Sequence, residues 1–134
     1  MYRSEYCDVS YEEKYNVVLV VWKKFCCMED YRQPLEYALE IIRQHRCDYA
    51  ADTRSGFENI PEDTRWVADY FMPKAVENGC TTIFFLIDRE NSLKEELEGQ
   101  CSDSQDIIAF RYIYSLDEIK PDNRLPNDSE PEGM

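Results

Sequence analysis

Two short stretches, "YNVVLVVW" (15–22) and "TTIFFLI" (81–87), are apolar on consecutive positions rather than alternate ones. Such strands suit a sheet covered on both faces, so this chain must supply helices or return segments to cover them. Between them, "DYRQPLEYALEIIRQHR" places Leu35, Ala38, Leu39 and Ile42 at i, i+3, i+4 and i+7, the stripe of an amphipathic helix, with Pro34 tolerated near its start. "DYAAD" (48–52) is too short and apolar for another helix and reads as a strand ending at Asp52.

Punctuation residues set the remaining elements. Tyr2 to Tyr11 and the "VVLVVW" run flank "EEK" and read as an antiparallel hairpin. Asn59, Pro61, Glu62 and Asp63 mark the start of a second helix with the stripe Trp66, Val67, Tyr70, Phe71 and Ala75, stopped at Gly79. Pro73 inside that stripe predicts a kink or break. Ser92 with Glu95, before Gly99, predicts a third helix, and "DIIAFRYIY" (106–114) a last strand. Ser115 with Glu118 repeats the capping spacing, but Pro121 limits that helix to about a turn. The order β-β-α-β-α-β-α-β predicts one α/β domain over residues 1–120. Its sheet is mixed and mostly parallel, of about five strands, with right-handed crossovers. Residues 121–134, acidic and proline-rich, read as a disordered tail.

With 134 residues and a formal charge of −13, the chain repels phosphate backbones and anionic headgroups, which argues against nucleic acid and lipid surfaces as partners. The longest apolar run, Val17 to Trp22, is six residues, far short of the ~20 needed to span a bilayer. Arg3, Glu5, Asp8, Glu12 and Glu13 interrupt the first residues where a signal peptide would be apolar. Six cysteines show no CxxC spacing and read as reduced thiols, so a cytoplasmic location is expected.

The string "VVW...PLEYALEIIRQHRCDYAADTR...PEDTRWVADYFMPKAVENGCTTIFFLI" resembles the STAS-like family of small bacterial domains. That family is related to anti-sigma-factor antagonists and often grouped with CRAL-TRIO lipid-binding domains. The resemblance spans about residues 10–115 and rests on Trp22, Asp52-Thr53-Arg54, Pro61, Glu62, Asp63, Trp66, Pro73 and Gly79. It implies a non-enzymatic regulatory or protein-interaction domain. Where the antagonists carry a phosphorylated serine, this chain reads Ile60-Pro61-Glu62-Asp63, without a hydroxyl. The family's apolar closing helix is also cut short at Pro121.

Asp52 and Arg54 are two apart at a strand end, so an extended backbone aims both to one side, at the edge where α/β sheets gather ligands. The plain alternative is an anchor, with Arg54 holding Glu62, Asp63 or a neighbouring strand's end. Trp22 and Trp66 either line an apolar pocket, as a small-molecule or lipid-binding module requires, or belong to ordinary core. His45 reads as a helix-end residue. Cys26-Cys27 would need a lowered thiol pKa for redox work. The acidic stretch 95–106 is a local charge concentration without calcium-loop spacing. No metal-ligand, phosphate-loop or nucleophile motif is present, so no cofactor is expected, and Asp52 with Arg54 is all that speaks for an enzyme. The partner surface is therefore Asp52, Thr53, Arg54, Glu62, Asp63, Trp66 and Trp22, for a protein or a small apolar ligand, with a homodimer allowed.

Overall fold

A computed structural model of the chain describes residues 1–55, 60–88 and 107–119. Its strands are β1 (Tyr2–Arg3), β2 (Cys7–Glu12), β3 (Val17–Trp22), β4 (Asp48–Asp52), β5 (Thr82–Leu86) and β6 (Ala109–Ile113), joined side by side in chain order. β1, β2 and β3 are antiparallel, and β3 to β6 are parallel. The chain is therefore α/β, with a mostly parallel mixed sheet that begins in a hairpin. The sixth strand arises because the expected first strand folds on itself at Ser4, whose hydroxyl accepts the N–H groups of Tyr6 and Cys7, both at 3.1 Å. A serine bonding the backbone ahead of it offers an extended chain a turn instead.

Strands that follow in order with same-handed crossovers must send their helices to one face. α1 (Glu29–His45) and the helical run of α2 (Pro61–Trp66), a π-helical turn (Val67–Phe71) and α3 (Met72–Glu77) obey this. Leu35, Ala38, Leu39, Ile42, Val67, Phe71 and Ala75 share one core with Val18, Val20, Tyr49, Ala51, Ile83 and Phe85. The alternate strand residues Val17, Ala50, Phe84, Leu86 and Ile113 form a smaller cluster on the other face with Ile119, against which Tyr15 and Leu116 pack. This two-sided burial explains the uninterrupted apolar runs. Within β6, Ala109 and Arg111 are exposed, so that strand alternates instead.

Pro73 acts as expected but more gently. With no N–H it cannot close an α-helical bond, and the chain takes up the loss in the π turn just before it, where the Met72 N–H reaches back to the Val67 carbonyl. The helix is re-registered rather than cut. Its end has Schellman geometry: the Gly79 N–H donates to Val76 at 3.0 Å and the Cys80 N–H to Ala75 at 2.9 Å. Gly79 needs its freedom twice over, because φ is +108° and an added Cβ would meet the Arg46 Cβ at 3.1 Å. Arg46 itself ends α1 in the left-handed region. Gly79→Ala is expected to lower the unfolding free energy by about 1–3 kcal/mol, read as a shifted urea midpoint. An unchanged midpoint would mean that this backbone relaxes freely.

α1 starts one residue earlier than its sequence pattern, so Pro34 lies inside it. The N-cap of α2 is Ile60, without a side-chain cap bond, in place of the expected Asn59–Glu62 cap. Ser115 makes the expected capping box, over a single 3-10 turn at Leu116–Glu118. Asn59, the expected third helix with Ser92, Glu95 and Gly99, the acidic stretch 95–106 and the tail 121–134 lie outside the described residues.

Candidate functional site

Asp52 is the last residue of β4, paired in register with Val21 of β3 and Leu86 of β5, and the chain leaves the sheet there. Arg54 turns back on it. Arg54 Nε donates to Asp52 Oδ1 at 3.0 Å and Nη2 to Oδ2 at 2.8 Å, a two-pronged charge-assisted pair, and the Arg54 backbone N–H adds a third bond at 3.1 Å. The hydrogen bonds that Arg54 donates to Asp52 are the main cause raising the Arg54 pKa further, with the charges of Asp52 and Asp88 adding to it. Thr53, between them, is buried and donates both its N–H and its hydroxyl to the Leu86 carbonyl, each at 3.0 Å. The cluster thus stitches β4 to β5 and leaves a half-exposed guanidinium at the edge. Both Asp52 carboxylate oxygens are thus held by one cation, which anchors the Arg54 side chain against the strand end.

Glu62, Asp63 and Trp66 make a different assembly. Asp63 is fully buried in the first turn of α2, where its Oδ1 accepts from Arg32 Nε of α1 at 2.9 Å and its Oδ2 from the Met28 N–H at 2.9 Å. Arg54 is one of the anchors expected for Glu62, Asp63 or a neighbouring strand's end, but it turns to Asp52 instead, and Arg32 takes Asp63 because the starts of α1 and α2 meet there. Arg32 also lies over the Trp66 ring, 5.4 Å from its centre, and reaches the Glu62 carbonyl at 3.4 Å. The Glu62 carboxylate is left exposed.

Met28 is the N-cap of α1 and has φ 53° and ψ −124°, a conformation glycine favours. A methionine persists there only if its surroundings hold it, and the Asp63 carboxylate on its N–H does so. The Met28 side chain is 46 % exposed, and Phe25, three residues before it, is 51 % exposed. The loop's cations are turned aside: Lys23 pairs with Asp8 at 3.1 Å and Lys24 with Glu5 at 2.7 Å. Phe25 and Met28 went unread in the sequence, although an apolar Phe25 directly after "KK" in a post-strand loop was the available signal.

Trp22 ends β3 and stacks on Tyr31 with ring centres 5.1 Å apart. It lines a cavity of about 20 Å³ with Tyr31, Tyr49, Val67, Phe71 and Phe85. That volume suits one water, whereas ligand sites run to several hundred Å³. Burial chiefly holds the Tyr49 hydroxyl well above its usual pKa beside it. Trp66 does not line this cavity. A wider, open hollow of about 450 Å³ lies at the opposite end of the sheet, lined by Val76, Gly79, Cys80, Thr81, Ile107 and Ile108.

Burial also pushes the Cys7 thiol up to about 12 and Cys26 to about 11, the reverse of a redox-active cysteine. His45 ends α1 and stacks on Tyr11, ring centres 3.8 Å apart. Among the described residues no group of acidic, histidine and cysteine side chains is placed to hold a metal, and no helix is long and apolar enough to cross a membrane. Comparison of the chain with protein-family models, curated proteins and solved structures finds no match.

Proposed function

We propose that the chain is a non-enzymatic, STAS-like protein-interaction or regulatory domain of the cytoplasm, whose recognition edge lies at the carboxyl ends of β3 and β4. The observation that carries this reading is that two apolar residues, Phe25 and Met28, are exposed on one loop whose backbone at Met28 departs from its usual preference and is bonded there by buried Asp63. Strain maintained under an exposed apolar pair is what recognition requires and what solubility alone would remove. Arg54, beside the loop on the adjacent strand end, offers the edge a fixed, half-exposed guanidinium. A protein partner then gains contacts without paying to order the loop. The STAS-like resemblance and the hairpin-led α/β sheet support the assignment, and the lack of a serine at Ile60–Asp63 separates it from the phosphorylated antagonists.

The test is affinity capture with wild type, Phe25→Ser, Arg54→Ala and, at the other end of the fold, Glu77→Gln, after thermal melting shows that all four fold. A specific partner kept by Glu77→Gln and lost by Phe25→Ser and Arg54→Ala supports the edge. Identical captured proteins across all four would sink it. The small-ligand reading draws on the hollow beside Val76 and Ile107 instead of Trp22 and Trp66. It predicts binding of a fluorescent apolar probe that Val76→Lys abolishes.

A further inference from the structure

Among the described methionines, Met28 is the one that is both exposed and in contact, through its sulfur, with a cation. It is 46 % exposed, whereas Met72 is 4 % exposed, and Arg32 Nη2 donates to its Sδ at 3.8 Å. The contact is enforced from both ends. The Met28 carbonyl accepts the Arg32 N–H at 2.8 Å and the Tyr31 N–H at 3.1 Å, and its own N–H is bound by Asp63 at 2.9 Å. The guanidinium is fixed in turn by Asp63 Oδ1 at 2.9 Å and by the face of Trp66. Four residues apart at the start of α1, sulfur and Nη2 therefore stay neighbours.

We infer that Met28 is a site of oxidation by hydrogen peroxide, and that Arg32 captures the sulfoxide oxygen it acquires. A sulfur lone pair attacks one peroxide oxygen, the O–O bond breaks, and the departing hydroxide takes the proton of the attacked oxygen and leaves as water; the thioether is oxidised and the peroxide reduced. A thioether is a weak acceptor, and one long N–H···S contact leaves a second lone pair for this attack. An oxygen set on the sulfur toward Nη2 closes the 3.8 Å gap to ordinary hydrogen-bond length, and a charge-assisted bond replaces a weak one. The bond it competes with, from Nη2 to the Glu62 carbonyl, is itself long at 3.4 Å. Methionine oxidation generally loosens its surroundings, but here it ties the loop before α1 more firmly to Arg32 and, through Asp63, to α2. The oxidised side chain is also polar, so it removes an apolar contact from the recognition edge; that consequence alone rests on the edge reading above.

The test is treatment of the full chain with hydrogen peroxide, mapped by mass spectrometry of proteolytic peptides and followed by thermal melting and tryptophan emission. Met28 is expected to oxidise at least about tenfold faster than buried Met72. The protein oxidised at Met28 should melt about 3 °C higher than the reduced protein, with altered tryptophan emission as Arg32 shifts over Trp66. Met28→Gln, which carries an amide oxygen in place of the sulfoxide, should melt higher than Met28→Leu, and peroxide should change neither the melting nor the emission of Met28→Leu. Arg32→Lys keeps a cation for Asp63 but has a single nitrogen, so it should gain nothing from oxidation of Met28. Equal oxidation of Met28 and Met72, a lower melting temperature of the oxidised protein, the same response in Met28→Leu, or a gain that survives in Arg32→Lys would each overturn the inference. None of these measurements involves a partner, so the inference and the recognition edge fail separately.

Discussion

Asp63→Ala is expected to lower the unfolding free energy by about 3 kcal/mol, and the melting temperature of a domain this size by about 10 °C. The loss comes from two groups abandoned at once. Arg32 keeps its charge at a site only partly open to water, and the Met28 N–H is left without its acceptor. The substitution also frees Met28 from the only bond described on its N–H, so the loop carrying Phe25 should relax toward ordinary backbone angles. Asp63→Asn keeps an oxygen and the packing and should recover about half of the loss. Arg32→Ala strands a buried carboxylate, so its cost should be similar to that of Asp63→Ala, and the double variant should cost much less than the sum. Thermal melts of the four proteins decide the matter. Additive single effects, or a change below about 1 kcal/mol in Asp63→Ala, would show that the two helices do not depend on this pair.

Asp48→Ala should cost about 2–4 kcal/mol by a separate route. Asp48 opens β4 as a buried carboxylate, and its Oδ1 accepts the Thr81 N–H at 2.9 Å, the Thr82 N–H at 3.1 Å and the Thr81 hydroxyl at 3.1 Å. It therefore ties the start of β5 to the start of β4, at the end of the sheet opposite Asp52 and Arg54. Alanine leaves two strand-entry amides with no acceptor where the chain comes out of the Gly79 turn. Hydrogen exchange should show the Thr81 and Thr82 amides losing protection first, with the Asn variant intermediate. Retained protection in a destabilised Asp48→Ala would place the loss elsewhere.

Residue by residue, legibility followed how local each interaction is. Leu35, Ala38, Leu39 and Ile42 share a face because helical spacing puts them there, and all four are buried. Asp52 and Arg54 meet because two extended residues apart is one side of a strand, but the anchor they form is with each other rather than with Glu62, Asp63 or a neighbouring strand's end. Ser115 and Glu118 cap within four residues. Asp63 reads in the sequence as a first-turn acid serving its own helix, whereas it is buried against Arg32, 31 residues earlier in the chain. The exposed pair is hidden for a related reason: nothing local says that Met28 will adopt a glycine-like backbone, since the bond that holds it comes from α2.

The sequence by itself therefore determined the α/β class, the antiparallel start, the parallel remainder and the helix that meets its proline, because periodicity, apolar runs and turn residues act within a few positions. Only the tertiary structure decided that the strands lie in chain order, that both helical crossovers share one face, and that the space beside Trp22 closes to the size of a water. It also decided which carboxylate holds which cation. Those outcomes depend on groups far apart in the chain arriving at one place, where a buried charge must find its partner or remain unpaid.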